Sequence, residues 1–288
     1  MYLDGRGWIT ARPLENYSSL HEFSLTEWMG WKKAWMKIPF YIKLDLNMHA
    51  PFRINPETEL AFKVQDASKP ITSGCCFVIE VTRWRTDLSP FSTFDEFLAS
   101  LIRWHRSNYT KSKKTFQNYG STVSLIQDDW TEHIETIYDL YCNVAKKHGD
   151  KLYDFEFFRE IAKRKDYKLL CVWFEGKIIA MSVLQEELPT LHSICCGMDY
   201  DHSSACYAYS WMHYELIRMA IESKKYQNVD IGLTADKSKR EICFAPIPSR
   251  MEMHAKGKIV RNFLRLVSGV VKGSIDQEGH LKFMWQRS

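Results

Sequence analysis

The residues best suited to chemistry gather in the C-terminal half of the chain. The stretch "VDIGLTADKSKREICFAP", Val229 to Pro246, reads as a short buried strand that stops at Gly232 and runs into a Lys-rich turn. Lys237 and Lys239 are either solvated loop charges or holders of an anionic ligand above the end of a sheet. A lysine just past a sheet-end glycine can reach back toward a phosphate as a point charge. Upstream, "GMDYDHSSAC" separates the strand "TLHSICCGM" from a long helix. Asp199 therefore lies at the carboxyl end of a strand, where open α/β sheets bind ligands. Ser203 and Ser204 stand where the helix begins, and helix N-H groups and the positive dipole end favour a phosphate there. The two serines either add hydroxyl donors to that site or simply cap the helix. His192, mid-strand, and His213, mid-helix, read as structural histidines. His254 alternates with Met251 and Met253 on a final strand and is a further catalytic candidate. No local Cys-His signature supports a cysteine nucleophile.

The elements that must position these residues are legible over most of the chain. Strand patterns appear in "FYIKLDLNM", "ELAFKV" and "CCFVIEV", punctuated by Pro51, Pro56 and Pro70. From Thr93 the apolar spacing becomes helical, with Phe94, Phe97, Leu98, Leu101 and Trp104 on one face and Asp95 and Glu96 suited to a helix start. The helix is expected to continue through the basic run Arg103, Arg106, Lys111, Lys113 and Lys114 to Gly120. "STVSLIQ" is a strand; Asp128 or Asp129 caps the next helix, which Gly149 ends, and "DFEFFREIAKRK" is another helix. "YKLLCVWF-EG-KIIAMSVLQ" reads as an antiparallel hairpin about a Glu175-Gly176 turn. A long helix follows from about Tyr207 to Lys224, with Tyr207, Trp211, Tyr214, Ile217 and Ile221 on its inner side and Tyr209 off that stripe. The order is α/β with a mixed sheet.

Bulk properties narrow the function classes. A chain of 288 residues, 45% apolar and 26% charged, has ordinary globular composition and room for one large domain or two lobes. A net charge of +4 is too small for a protein that coats nucleic acid, so no DNA partner is expected. The eight cysteines form no C-x-x-C pair, which argues against a zinc ribbon or a thioredoxin-like centre, and no metal site is expected. Without a secretory signal pattern or an apolar run long enough to span a bilayer, a reducing cytoplasm is the expected compartment. Four of the ten tryptophans (Trp8, Trp28, Trp31 and Trp35) fall in the first 35 residues, as lobe packing or as a substrate groove. The tail "KGKIVRNFLRLVSGVVKG" is amphipathic, either closing a core or docking on a membrane surface.

Taken together, "FEGKIIAMSVLQ", Gly197 and Asp199 after a strand, Ala220-Ile221-Glu222 late in the long helix, Asp230 and Gly232 on the next strand, and Lys239 seven residues later resemble the FemAB-like branch of the GNAT acyltransferase superfamily. The resemblance spans roughly residues 93–250. It implies a GNAT-like mixed β-sheet flanked by helices (residues 121–288), preceded by a shorter, degenerate amino-terminal lobe of related type (residues 1–120) that ends in the basic helix. It also implies N-acyl transfer from an acyl-CoA co-substrate to the amine of a small or amino-acid-like acceptor, an EC 2.3 activity with no bound cofactor. On that reading an amine attacks a thioester at a gap between "TLHSICCGM" and "NVDIG", where backbone N-H groups steady the oxyanion. Tyr209 falls where such enzymes place a general-acid tyrosine. Asp199 either orients or deprotonates the amine or caps the turn, with Glu186 a further base candidate. Ser203, Ser204, Tyr207, Gly232 and Lys239 would hold the donor. The Gly-rich pyrophosphate loop of standard GNAT enzymes is replaced here by "DYDHSSAC". Two alternatives therefore stay open: transfer from aminoacyl-tRNA, with the basic helix on RNA phosphates, and a non-catalytic GNAT-fold binding module.

Overall fold

The computed structural model describes residues 2–3, 9–10, 44–46, 60–148, 153, 155–233, 236–255, 257–269, 271–275 and 281–285. The tryptophans of the first 35 residues and Gly149 lie outside the described residues, as does all of "FYIKLDLNM" except 44–46. In chain order the amino-terminal strands are β1 (Tyr2–Leu3), β2 (Ile9–Thr10), β3 (Leu44–Leu46), β4 (Leu60–Asp66) and β5 (Phe77–Asp87). Helices α1 (Phe94–Ser100) and α2 (Arg103–Tyr119), strand β6 (Thr122–Ile126), and helices α3 (Ile134–His148) and α4 (Phe155–Ile161) follow. Next come β7 (Tyr167–Phe174), β8 (Lys177–Glu187), β9 (Thr190–Met198), the single turn α5 (Tyr200–Ser203), α6 (Ala208–Ser223), β10 (Asn228–Leu233) and α7 (Asp236–Glu241). The chain closes with β11 (Ala245–Ala255), α8 (Lys258–Ser268), β12 (Val271–Ile275) and β13 (Leu281–Trp285). Residues 83–246 form one compact unit, and residues 1–82 with 247–288 form another.

The 83–246 unit is a mixed sheet flanked by helices, the α/β arrangement expected. The last residues of β5 pair antiparallel with β10, β10 runs parallel to β9, and β9, β8, β7 and β6 continue antiparallel. The β7–β8 hairpin turns at Glu175 and Gly176, both at positive φ (48° and 75°), the conformation a two-residue hairpin turn demands. β8 is buried from Ile178 to Leu184, which accounts for its unbroken apolar run. Helix α3 lies so close to β9 that a Cβ on Gly197 would come within 2.6 Å of the Tyr141 backbone nitrogen and 2.7 Å of the Leu140 carbonyl carbon. Gly197 is therefore a packing glycine.

Helix α6 carries the core on its inner face: Trp211, Tyr214, Ile217 and Ile221 are buried with Leu170, Val172 and Val229 of the sheet. Each such side chain stabilises the fold by roughly 1.5–3 kcal/mol relative to exposure. Helix α2 packs on it through Tyr109, whose ring lies 5.6 Å from Trp211 and 5.1 Å from Tyr214, and through Phe116, 5.7 Å from Trp211. Arg103, Arg106, Lys111, Lys113 and Lys114 of α2 stay exposed.

One expectation is corrected. The helix predicted to run unbroken from Thr93 to Gly120 is two helices, because Leu101 and Ile102 are extended (ψ 148° and 156°). Thr93 and Glu96 close a capping box at the start of α1, and Gly120, in the left-handed region at φ 77°, ends α2. The compact units divide the chain after Thr82 and after Pro246. The basic helix α2 belongs with the sheet, because its apolar stripe has α6 to bury against.

In the other unit, β4 pairs antiparallel with β11, and β12 pairs with β13 and, in parallel, with β5 at Ile79 and Glu80. Helix α8 buries Leu264 and exposes Ile259 and Leu266. No described helix is long and apolar enough to cross a membrane.

Candidate active site

Parallel strands β9 and β10 pair over Asn228–Thr190, Val229–Leu191 and Asp230–His192 only. Beyond His192, β9 continues to Met198 with its β10-facing side unpartnered among the described strands, while β10 bulges between Asp230 and Leu233. The two strands thus part at the carboxyl end of the sheet, and the bulge places Gly232 at φ 72°, where a Cβ is unfavourable.

Asp230 fixes that bulge. Its carboxylate is almost fully buried and accepts the Gly232 N-H at 2.9 Å, while Arg83 and Arg85 of β5 approach its other oxygen at 2.8 and 3.3 Å. A buried carboxylate persists only when paired in this way. The sequence reading placed Asp230 in a motif but missed Arg83 and Arg85. Their alternation on β5, which puts both on one face of the strand opposite β10, is the signal that could have found them.

Lys239 is buried on α7, and Lys237 is exposed. The Lys239 ammonium donates to the carbonyl of Ile231 at 2.6 Å and to that of Leu233, clasping the backbone on both sides of Gly232. Its positive charge acts on two groups beside the parting strands. Burial pushes the Cys196 thiol up, against the Ser193 and Ser182 hydroxyls and the Lys239 charge, which pull it down. Burial lowers the His213 imidazole to about 4, and Lys239 adds to that shift. His213 donates through Nδ1 to the Tyr209 carbonyl at 2.8 Å, and the two rings lie 4.4 Å apart. Burial holds the Tyr209 phenol well above its ordinary value, with Cys196 and Tyr200 adding to the effect. Cys196, Tyr209, His213 and Lys239 therefore form one cluster where β9 and β10 diverge.

Asp199 caps α5, its carboxylate accepting the Asp201 N-H at 3.0 Å. Ser203 is the buried last residue of α5, and its Oγ makes no hydrogen bond among the described residues; Ser204 is exposed. Neither serine caps α6, because the chain makes a further turn before that helix begins. Tyr207 occupies the N-cap position at φ 58° without a side-chain cap bond. It is also exposed rather than on the inner stripe, with the Lys111 ammonium 5.1 Å from its ring centre. Tyr209, read as off the stripe, instead packs against the core. Tyr207 leaves the stripe because its left-handed backbone puts it outside the helix, and Tyr209 is packed because α6 is buried over a wider face that includes Met212 and His213. Glu186 accepts from Lys168 at 2.7 Å and from the Tyr226 hydroxyl, so its carboxylate is already engaged. His254 lies in the other compact unit.

Comparison with known proteins bears on the family and the fold. A family model described as peptidoglycan biosynthesis/recognition, FemAB-like, matches residues 59–276. No curated protein matches the chain. Among solved structures, FemX superposes with a TM-score of 0.54 at 10% identity, over 81% of this chain and 85% of that one. L-PGS from Bacillus licheniformis gives 0.47 at 10% identity over 77% and 73% of the two chains. A GCN5-related N-acetyltransferase from Kribbella flavida gives 0.43 at 10% identity over 70% of each. The chain belongs to the FemAB-like family, described by peptidoglycan biosynthesis or recognition, and shares the fold of FemX.

Proposed function

We infer that the protein is an N-acyltransferase that works where β9 and β10 part, moving an acyl group from a thioester of coenzyme A to the amine of a small or amino-acid-like acceptor. The observation that carries this reading is the edge of β9, unpartnered among the described strands, beside the Lys239-clasped bulge of β10. Such an edge offers backbone N-H groups to an acyl oxygen. The amine nitrogen attacks the carbonyl carbon, the carbonyl oxygen takes up the negative charge, and the carbon–sulfur bond then breaks. The amine's lost proton goes to a base, and the departing thiolate receives one from an acid. Tyr209 suits the acid because burial keeps its phenol protonated. Asp199 is the base candidate nearest the carboxyl end of β9, and Ser203 is a buried hydroxyl available to the donor. Tyr207, Ser204 and Gly232 complete the donor side of this reading, and Lys239 acts by fixing the bulge. Glu186 is a weaker base because Lys168 and Tyr226 hold it. Eight free cysteines suit a reducing, cytoplasmic compartment.

A second reading, aminoacyl-tRNA as donor, is favoured by one observation: the five exposed cations of α2 carry no acidic residue among them. In that case the broken bond is the aminoacyl ester, and Tyr209 protonates a ribose oxygen. The test incubates the protein with a panel of acyl-CoAs and amines, following thiol release and thermal stabilisation, beside charged tRNA over a salt series. Thiol release that depends on both substrates supports the first reading. Salt-sensitive tRNA binding with aminoacyl transfer and no thiol release replaces it with the second. Neither activity leaves a binding module.

A further inference from the structure

The unit made by residues 1–82 and 247–288 contains a second group of chemically able side chains, built without the transferase cleft. Cys75, Glu252 and His254 place a thiol, a carboxylate oxygen and an imidazole nitrogen within 4.8 Å of one another. The backbone explains how. Gly74, at φ 87°, turns the chain back, and the Cys76 N-H bonds the Met253 carbonyl at 2.8 Å, so Cys75 is delivered beside β11. On β11, Glu252 and His254 are two residues apart and share one face, both buried, while Met253 takes the other.

Glu252 is held rigidly. Its Oε1 accepts from Arg250 Nε at 2.8 Å and from Gln65, and its Oε2 accepts the Thr72 N-H at 3.0 Å. Burial works against the charge, but these donors win and keep the carboxyl below its usual range. Burial and the Glu252 charge push the Cys75 thiol up to about 11. From Oε2 to His254 Nε2 is 3.7 Å, too long for a hydrogen bond between them. It is, however, close to the edge of a tetrahedron of ligands around an ion with bonds of about 2.0–2.3 Å.

We propose that Cys75, Glu252 and His254 bind a thiophilic divalent cation, zinc(II) above all, through Sγ, Oε2 and an imidazole nitrogen. The mixed sulfur, nitrogen and oxygen set selects zinc over calcium or magnesium, which take oxygen ligands. Three protein ligands leave a fourth position to water. Arg250 and Gln65 orient the carboxylate from its far oxygen, as outer partners of metal ligands do. Binding releases the Cys75 proton, because the thiolate is the ligand. The site does not depend on the transferase reading. No C-x-x-C pattern marks it, because Cys75 is far in the chain from Glu252 and His254.

Cobalt(II) is the probe, added to the chelator-treated full-length protein. One equivalent is expected to bind, giving a near-ultraviolet thiolate-to-cobalt band and a rise in melting temperature, and zinc(II) should displace it. Cys75→Ser should abolish the band, and His254→Gln should weaken binding by at least about tenfold, the lower bound set by losing even an outer partner of a ligand. Cys142→Ser, a control elsewhere in the chain, should change nothing. If Cys75→Ser does not fold, proton release on zinc addition to the unaltered protein, about one per ion, serves instead. No band and no proton release would overturn the site, as would a band that survives Cys75→Ser.

Discussion

Lys239 folds back onto the strand that precedes it, and its ammonium donates to the Ile231 carbonyl at 2.6 Å. The lysine that sequence alone suggests for a ligand is therefore part of the architecture of the cleft. Substituting Lys239 by Met keeps the stem and deletes the donor, leaving the Ile231 and Leu233 carbonyls without it. A loss of roughly 1–3 kcal/mol is expected from those groups. Urea unfolding measures it, and an unchanged midpoint would show the clasp to be dispensable.

Asp230 and Arg83 should couple strongly. Asp230→Asn leaves the buried Arg83 charge uncompensated, at a cost of about 3–5 kcal/mol. Arg83→Met with Asp230→Asn should cost less than the sum of the two single changes. A double-mutant cycle reads the difference, and additive effects would contradict the pairing.

Gly197→Ala should destabilise by about 1–3 kcal/mol or more through overpacking. Trimming Met181, whose Cε lies 2.6 Å from the added Cβ, should not restore stability. The backbone of Leu140 and Tyr141 is equally close and cannot retract. Thermal unfolding of the single and double variants tests this, and rescue by Met181→Ala would place the clash on the side chain alone.

Stability should fall as the medium is acidified from about pH 6.5 to 4. Burial lowers both His192 and His213 to about 4; for His192, Arg83 and Arg85 add to the fall and Asp230 opposes it. Between those values the unfolded chain binds protons that the folded chain does not, so protonation favours unfolding. The contribution is complete above pH 6.5 and is of the order of 3 kcal/mol per histidine at most. His213→Asn, which retains a donor toward the Tyr209 carbonyl, should flatten part of the slope in urea titrations across that range.

Tyr209→Phe and Asp199→Asn separate chemistry from structure. Removing a general acid lowers kcat by about 10²–10⁴-fold, so Tyr209→Phe should do so with little change in KM. Asp199→Asn preserves the cap on α5, since Asn and Asp cap equally well. A fall in kcat with unchanged stability therefore assigns Asp199 to the base, and full activity leaves it a capping residue.

Wherever local pattern sets local structure, the sequence is a sufficient guide. The β7–β8 hairpin follows from Glu175-Gly176 between two apolar runs, the inner face of α6 from the spacing of Trp211, Tyr214, Ile217 and Ile221, and family membership from Gly197, Asp230, Gly232 and Lys239. What it could not supply are relations between residues distant in the chain. Arg83 meets Asp230 only because β5 lies beside β10, and Cys75 meets His254 only because the Gly74 turn returns to β11. Tyr207 leaves its expected place because its left-handed backbone sets it outside the helix, and Tyr209 is packed because neighbours distant in sequence bury a wider face of α6 than the apolar stripe marks. Periodicity is a property of regular backbone, so it carries no information across such a break. Strand neighbours and burial arise from contacts far apart in sequence, and it is those that turned Lys239 from a free charge into the clasp of the cleft.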